Sequence, residues 1–215
     1  MRQLFVTVAL VLATASAASA QPPPPAAPAP PPRARGVQVM TLDSPAWPDG
    51  GALPLAHSQA GRDVSPALTW SGAPDGVVSY VLVMRDLDEV APATGEDTLH
   101  WLVWNIPATR AGLPAGVPPG NAPPASPRFG GGTPPAPTEG PRQISATGPG
   151  YRGPAAPASG PAHHYVFEVF ALDGWIDVPA VGQSPAATRA AVVAAMAGHV
   201  RGKAVRVALF RRPAP

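Results

Sequence analysis

Three apolar runs constrain this chain more than any other feature: Val77 to Arg85 (VVSYVLVMR), Leu99 to Ile106 (LHWLVWNI) and Tyr165 to Leu172 (YVFEVFAL). Each is rich in β-branched and aromatic residues, is bounded by turn formers, and has the length of a strand and not of a helix. Being apolar nearly throughout, they read as strands buried on both faces. Val37 to Leu42, Ala67 to Trp70 and Val205 to Phe210 are shorter runs of the same kind. Short strands with irregular connections point to a mostly antiparallel β architecture, either sandwich or barrel. One helix is expected near the C-terminus. Ser184 caps it, Pro185 suits its first turn, Ala186 to Met196 carry it, and Gly198 ends it. Its Ala-rich character predicts close packing on a sheet.

The chain divides into three parts. Arg2, the apolar stretch Leu4 to Ala13 and the small-residue site Ala18-Ser19-Ala20 form the pattern of a secretory signal over residues 1–20. That stretch is too short for a transmembrane anchor, and with no Cys after it a cysteine-linked lipid anchor is not expected. The mature chain is expected in the periplasm or outside the cell, starting near Gln21. Residues 21–35 are largely Pro and Ala and read as an extended linker. Residues 36–212 form one domain, a size that supports a real core. Within it, residues 111–149 are Gly/Pro-rich and weakly patterned, the profile of a functional or mobile loop.

Composition removes several functions. The net charge is only +2, and its excess lies at the edges in Arg33, Arg35, Arg211 and Arg212. No basic stripe interleaved with aromatics runs through the domain, so a nucleic-acid partner is not expected. The chain has no cysteine, hence no disulfide, thiolate metal site or Cys nucleophile. A Gly-x-Ser-x-Gly elbow, a His-Glu-x-x-His helix and a P-loop are all missing. An enzyme is therefore not expected, nor a cofactor, nor a metal.

Three polar clusters remain. Arg85-Asp86-Leu87-Asp88 closes a strand, and its carboxylates at i and i+2 point the same way if the strand continues. They read either as a paired-carboxylate site or as turn chemistry at a strand end. His100 opens the next strand. Regular alternation puts it on the face of Leu102 and Trp104, as a structural histidine or a functional one. The third cluster is Gly150-Tyr151-Arg152-Gly153-Pro154 with His163-His164-Tyr165 downstream. His163 and Tyr165 share a face, and the Gly-Pro turn exposes backbone N–H groups. Donors of this kind fit phosphate or carboxylate better than a metal. His57 and His199 lack suggestive partners and read as surface or packing residues.

In order, these segments resemble the phosphatidylethanolamine-binding protein family in its bacterial Raf kinase inhibitor-like branch. Gly61 to Trp70 (GRDVSPALTW) resembles the family's early G-x-[DN]-x-S-P-x-L-x-W run. Asp86-Leu87-Asp88 resembles its Asp-Pro-Asp motif, with Leu87 in place of the usual proline. His100 to Pro107 resembles its His-containing strand, and Gly150 to Pro154 followed by His163-His164-Tyr165 resembles its Gly-Tyr-x-Gly-Pro and His-x-Tyr motifs. The resemblance implies two antiparallel β-sheets with short peripheral helices. It also implies a ligand pocket formed by Asp86, His100, Gly153, Pro154, His163 and Tyr165 that takes a phosphorylated or other small anion of the phospholipid head-group type. The family is also known for inhibiting kinases or proteases, so the alternative reading is an interaction protein that inhibits a protease or kinase partner, for which residues 111–149 are the expected contact. Asp86 is expected to hold His100 or His163 protonated beside the anion.

Overall fold

The structure is a computed structural model, described over residues 36–90, 95–119 and 141–214. The expected signal segment, the linker and the middle of the 111–149 loop lie outside those residues. Ten strands and one α-helix occur among the described residues: β1 (Gln38–Val39), β2 (Thr41–Asp43), β3 (Gly51–Ala52), β4 (Leu68–Ser71), β5 (Ser79–Val90), β6 (Asp97–Pro107), β7 (Gly112–Leu113), β8 (Arg142–Ile144), β9 (His163–Leu172), α1 (Pro185–Met196) and β10 (Val200–Phe210). A short 3-10 turn spans Leu55–His57.

The strands form two sheets. The large one runs β1-β10-β9-β5-β6-β8, with β3 also on β10, and the small one runs β2-β4-β7. Pairing is antiparallel except where the short β1 and β3 lie parallel to β10. The expected first strand is split between the sheets. Met40 is the crossing point: it is buried, and its amide donates to the Lys203 carbonyl at 2.8 Å. The 111–149 loop is less featureless than its composition indicates, since β7 and β8 both fall within it.

The unbroken apolar runs have a simple cause: the large sheet is covered on both faces. From β5, Tyr80, Leu82 and Met84 point between the sheets, where they meet Leu42, Leu68 and Trp70. Val81 and Val83 point to the opposite face, beneath α1, with Trp104 and Leu172. Trp101, Trp104 and Phe167 are fully buried, each contributing about 1.5–3 kcal/mol by its removal from water. Helix α1 buries Thr188, Val192 and Met196, one stripe at i, i+4 and i+8. The Ser184 hydroxyl accepts from the Ala187 amide at 3.2 Å, and Gly198 takes a φ of +80° just beyond the last turn.

The β5–β6 ladder is interrupted three times. Pairing passes from Tyr80↔Ile106 to Leu82↔Val103, from Met84↔Trp101 to Arg85↔Leu99, and from Asp86↔Thr98 to Val90↔Asp97. The first break involves Asn105, which has a φ of +60°. Its side-chain amide donates to the Ile176 carbonyl at 2.9 Å and accepts from the Ile176 amide at 2.8 Å. The second leaves His100 as an extra residue in β6, and the third leaves Leu87, Asp88 and Glu89 extra in β5. A bulge kinks a strand and re-aims its side chains. The last two breaks build the candidate site.

Candidate functional site

Strict alternation would put His100 beside Leu102 and Trp104. The bulge overturns that expectation. Leu99 belongs to the core beneath α1 and Trp101 to the core between the sheets, although residues two apart in a regular strand share a face. The extra residue, His100, turns to the Trp101 side and meets Tyr165 edge-on, ring centroids 5.1 Å apart. Tyr165 is paired with Asp86 across the β5–β9 ladder. One bulge therefore brings together side chains from β5, β6 and β9.

Asp86 is the anchor of the group. It is completely buried, and its Oδ2 is 2.8 Å from His163 Nδ1. Its Oδ1 accepts from the Asp88 amide at 2.9 Å. Asp88 does not join Asp86 on a shared ligand face as two carboxylates at i and i+2 would in a continuing strand. It sits on the β5 bulge and accepts from the His164 amide at 2.5 Å and from His164 Nδ1 at 2.9 Å. Those bonds, the amide first, hold the Asp88 carboxyl below its ordinary value. The adjacent histidines face opposite ways, each held by a different aspartate.

His100 Nδ1 lies 2.8 Å from the Arg152 carbonyl oxygen. A carbonyl only accepts, so Nδ1 carries the proton and Nε2 presents a lone pair. Burial, the dominant influence, pushes the His100 pKa below its ordinary value despite the Asp86 charge nearby. The expectation that Asp86 keeps His100 protonated is thus reversed: desolvation outweighs the carboxylate. Tyr165 is fully buried. Its hydroxyl borders the Asp86 carboxylate and the Ala155 and Ala156 amides, yet closes no well-formed hydrogen bond. Burial first, then Asp86, drive its pKa far up, so the phenol stays protonated.

Above this group lies a cavity of about 230 Å³ lined by His100, His163, Asp88, Glu89, Arg152 and Gln59, among others. His100 and His163 reach its surface, with Asp86 and Tyr165 packed directly behind them. Gly153 and Pro154 are not in the lining. The Gly153 amide donates to Asp63 Oδ1 at 2.6 Å, and its carbonyl accepts from Gln59 Nε2 at 2.7 Å. The Pro154 carbonyl accepts from the Gln59 amide at 3.0 Å. A Cβ on residue 153 would stand 2.4 Å from the His57 carbonyl oxygen and 2.8 Å from Ser58 Cα. This glycine is needed so that two loops can touch, and the close backbone approach is to the 57–63 loop, not to the cavity.

Sequence reasoning missed three participants. Arg152 was visible only as the variable residue of a motif. Arg152 lines the cavity, its charge is felt at His100, and its guanidinium has no hydrogen-bond or ion-pair partner among the described residues. Glu89 is carried to the cavity by a bulge that no local pattern announces. Asp63, at φ +53°, fixes the 153 turn from ninety residues away. His199, read as partnerless, has its Nδ1 2.8 Å from Asp173 Oδ1. His57 Nδ1 lies 2.8 Å from the Val64 carbonyl oxygen.

Comparison with known proteins follows this geometry. A family model described as phosphatidylethanolamine-binding protein matches residues 43–211. The UPF0098 protein of Methanothermobacter thermautotrophicus is 32% identical over 173 residues, covering 80% of this chain and 99% of its own. Among solved structures, Escherichia coli YbcL, described as a new member of the mammalian PEBP family, is 27% identical with a TM-score of 0.60, covering 80% of this chain and 98% of YbcL. The PEBP homologue CT736 of Chlamydia trachomatis is 26% identical, also at 0.60, covering 81% and 99%.

Proposed function

The chain belongs to the phosphatidylethanolamine-binding protein family, and from that premise we propose that it is a non-enzymatic binding protein for a phosphorylated or other small anionic ligand of the phospholipid head-group type. The observation that carries this reading is the unpaired Arg152 guanidinium on a small cavity whose other walls present His163 and, behind it, the protonated Tyr165 hydroxyl. Guanidinium, imidazole N–H and phenol are all donors, and the first is suited to bidentate contact with phosphate. A cavity of about 230 Å³ is below the range of roughly 300–1,000 Å³ usual for drug-sized ligands, so it admits a head group and not a whole lipid. Asp86 acts here as the buried carboxylate that fixes the His163 ring, leaving Nε2 for the guest.

A binding role also agrees with the serine hydroxyls of the domain. The hydroxyls of Ser44, Ser58, Ser79 and Ser145 donate to backbone carbonyls and not to a histidine, so none of them is an activated nucleophile. No helix among the described residues is long and apolar enough to cross a membrane. The signal-like pattern over residues 1–20 supports export of the chain to the periplasm or beyond. The test is calorimetric titration of inorganic phosphate and of phosphoethanolamine into the protein in EDTA. Saturable binding that weakens by about tenfold in Arg152→Ala is the expected result. No saturable binding at millimolar ligand, or binding indifferent to Arg152, overturns the reading.

A further inference from the structure

The floor of the cavity gathers acceptors. His100 Nδ1 is committed to the Arg152 carbonyl at 2.8 Å, so Nε2 faces inward with its lone pair. That atom is buried and has no hydrogen-bond partner. A His100 ring nitrogen, an Asp86 carboxylate oxygen and a Glu89 carboxylate oxygen all lie within 4.8 Å of one another. With Nδ1 engaged, Nε2 is the nitrogen available to that point. Three electron-pair donors converging on one point suit a cation.

Three further observations say which kind. First, the ligating atoms are already held from behind. The His100 ring is oriented by its N–H bond to a carbonyl, and both oxygens of Asp86 are held, by His163 and by the Asp88 amide. Metal-binding imidazoles and carboxylates are oriented in this way by outer hydrogen bonds. Second, the carboxylates of Asp86, Asp88 and Glu89 outnumber the Arg152 cation around the pocket, which makes its floor acidic. Third, one imidazole with two carboxylates suits a first-row divalent ion, whereas Ca²⁺ and Mg²⁺ favour all-oxygen sites. Ligands at about 2.0–2.2 Å from such an ion stand roughly 3–4 Å apart. Glu89 is exposed, so its carboxylate can move onto the ion while Asp86 and His100 stay fixed.

We propose that Asp86, Glu89 and His100 form a binding site for a divalent transition-metal ion on the floor of the pocket. The site stands on its own geometry. It deepens the anion reading by giving a negatively charged guest a positive neighbour beside the buried Asp86.

The experiment strips the full chain with EDTA and dialyses it against Zn²⁺ or Mn²⁺ at neutral pH. Retained metal is measured by elemental analysis and the thermal midpoint is recorded in parallel. The wild type should retain about one ion per chain and unfold at higher temperature with metal. Glu89→Gln and His100→Gln should each weaken uptake by about 10–100-fold; the Glu89 variant alters an exposed residue and keeps the test valid if the His100 variant misfolds. Uptake equal in the wild type and Glu89→Gln, or no uptake by the wild type, overturns the proposal. A midpoint raised by ethanolamine but by neither metal also overturns it, in favour of an ammonium guest. Phosphate titration in EDTA is read separately: phosphate binding without metal uptake sinks only this inference, and metal uptake without phosphate binding sinks only the anion reading.

Discussion

Two clusters of charge lie on opposite faces of the large sheet, and they are assembled by opposite rules. Beneath α1, Arg85 bonds Asp97 at 2.7 Å and Glu168 at 2.9 Å, Lys203 reaches Glu168 at 2.6 Å, and Arg189 pairs with Asp97. Each charge there has an opposite. Burial works against the Arg85 cation, but Glu168 and Asp97 more than offset it and hold its pKa above the ordinary value. On the other face, His100 Nε2 and the Tyr165 hydroxyl are buried without partners, and Arg152 has none among the described residues. A buried polar group left unpaired costs about 1–3 kcal/mol. The first cluster is complete within the chain. The second is left incomplete by the described residues, as the proposed guests require.

The largest effect that separates them is on stability. Glu168→Gln should cost about 2–4 kcal/mol in urea unfolding, because it removes the buried carboxylate shared by Lys203 and Arg85 and leaves Arg85 only Asp97. Asp86→Asn, although its carboxylate is more deeply buried, should change stability by less than about 1 kcal/mol, since the net-negative pocket loses repulsion along with a bond. Equal costs would erase the distinction. Gly153→Ala comes next, at about 1–3 kcal/mol, because its methyl group would strike the His57 carbonyl; a neutral result would show that the pocket wall is not held by the contact of the two loops. Tyr165→Phe should leave stability within about 0.5 kcal/mol, the deleted hydroxyl having no partner to strand. It should lower phosphate affinity by about 3–10-fold. The smallest effect concerns the satellite pair Asp173–His199. Burial opposes the Asp173 charge, but His199 and Arg201 hold its pKa below 3.8. Its contribution is complete above that value and fades as pH falls through it towards the folded-state pKa. The stability gap between wild type and Asp173→Asn should therefore narrow in acid unfolding below pH 3.8.

Much of this molecule was legible in its residues. The three apolar runs became the strands β5, β6 and β9, and Ser184 and Gly198 bracket α1 as their chemistry requires. Local patterning carries such information because propensity and burial agree there. It fails where the ladder breaks. Alternation misplaced His100 because a bulge is a relation between two strands, absent from either alone. The same holds for Glu89, lifted over the cavity by three extra residues in β5. Asp63 and Gly153 meet through the fold and not through any spacing. The two-residue strands β3 and β7 were too short to leave a pattern.

The position of β10 has a consequence for how the chain matures. Strand β10 is flanked by β9 on one side and by β1 and β3 on the other, so β1 and β3, near the beginning of the domain, have no edge to join until residues 200–210 emerge. The large sheet is therefore completed only after residues 200–210 are made, with long-range loop closures as its slow step. A chain cut short at His199 would lack the seam that joins its two ends.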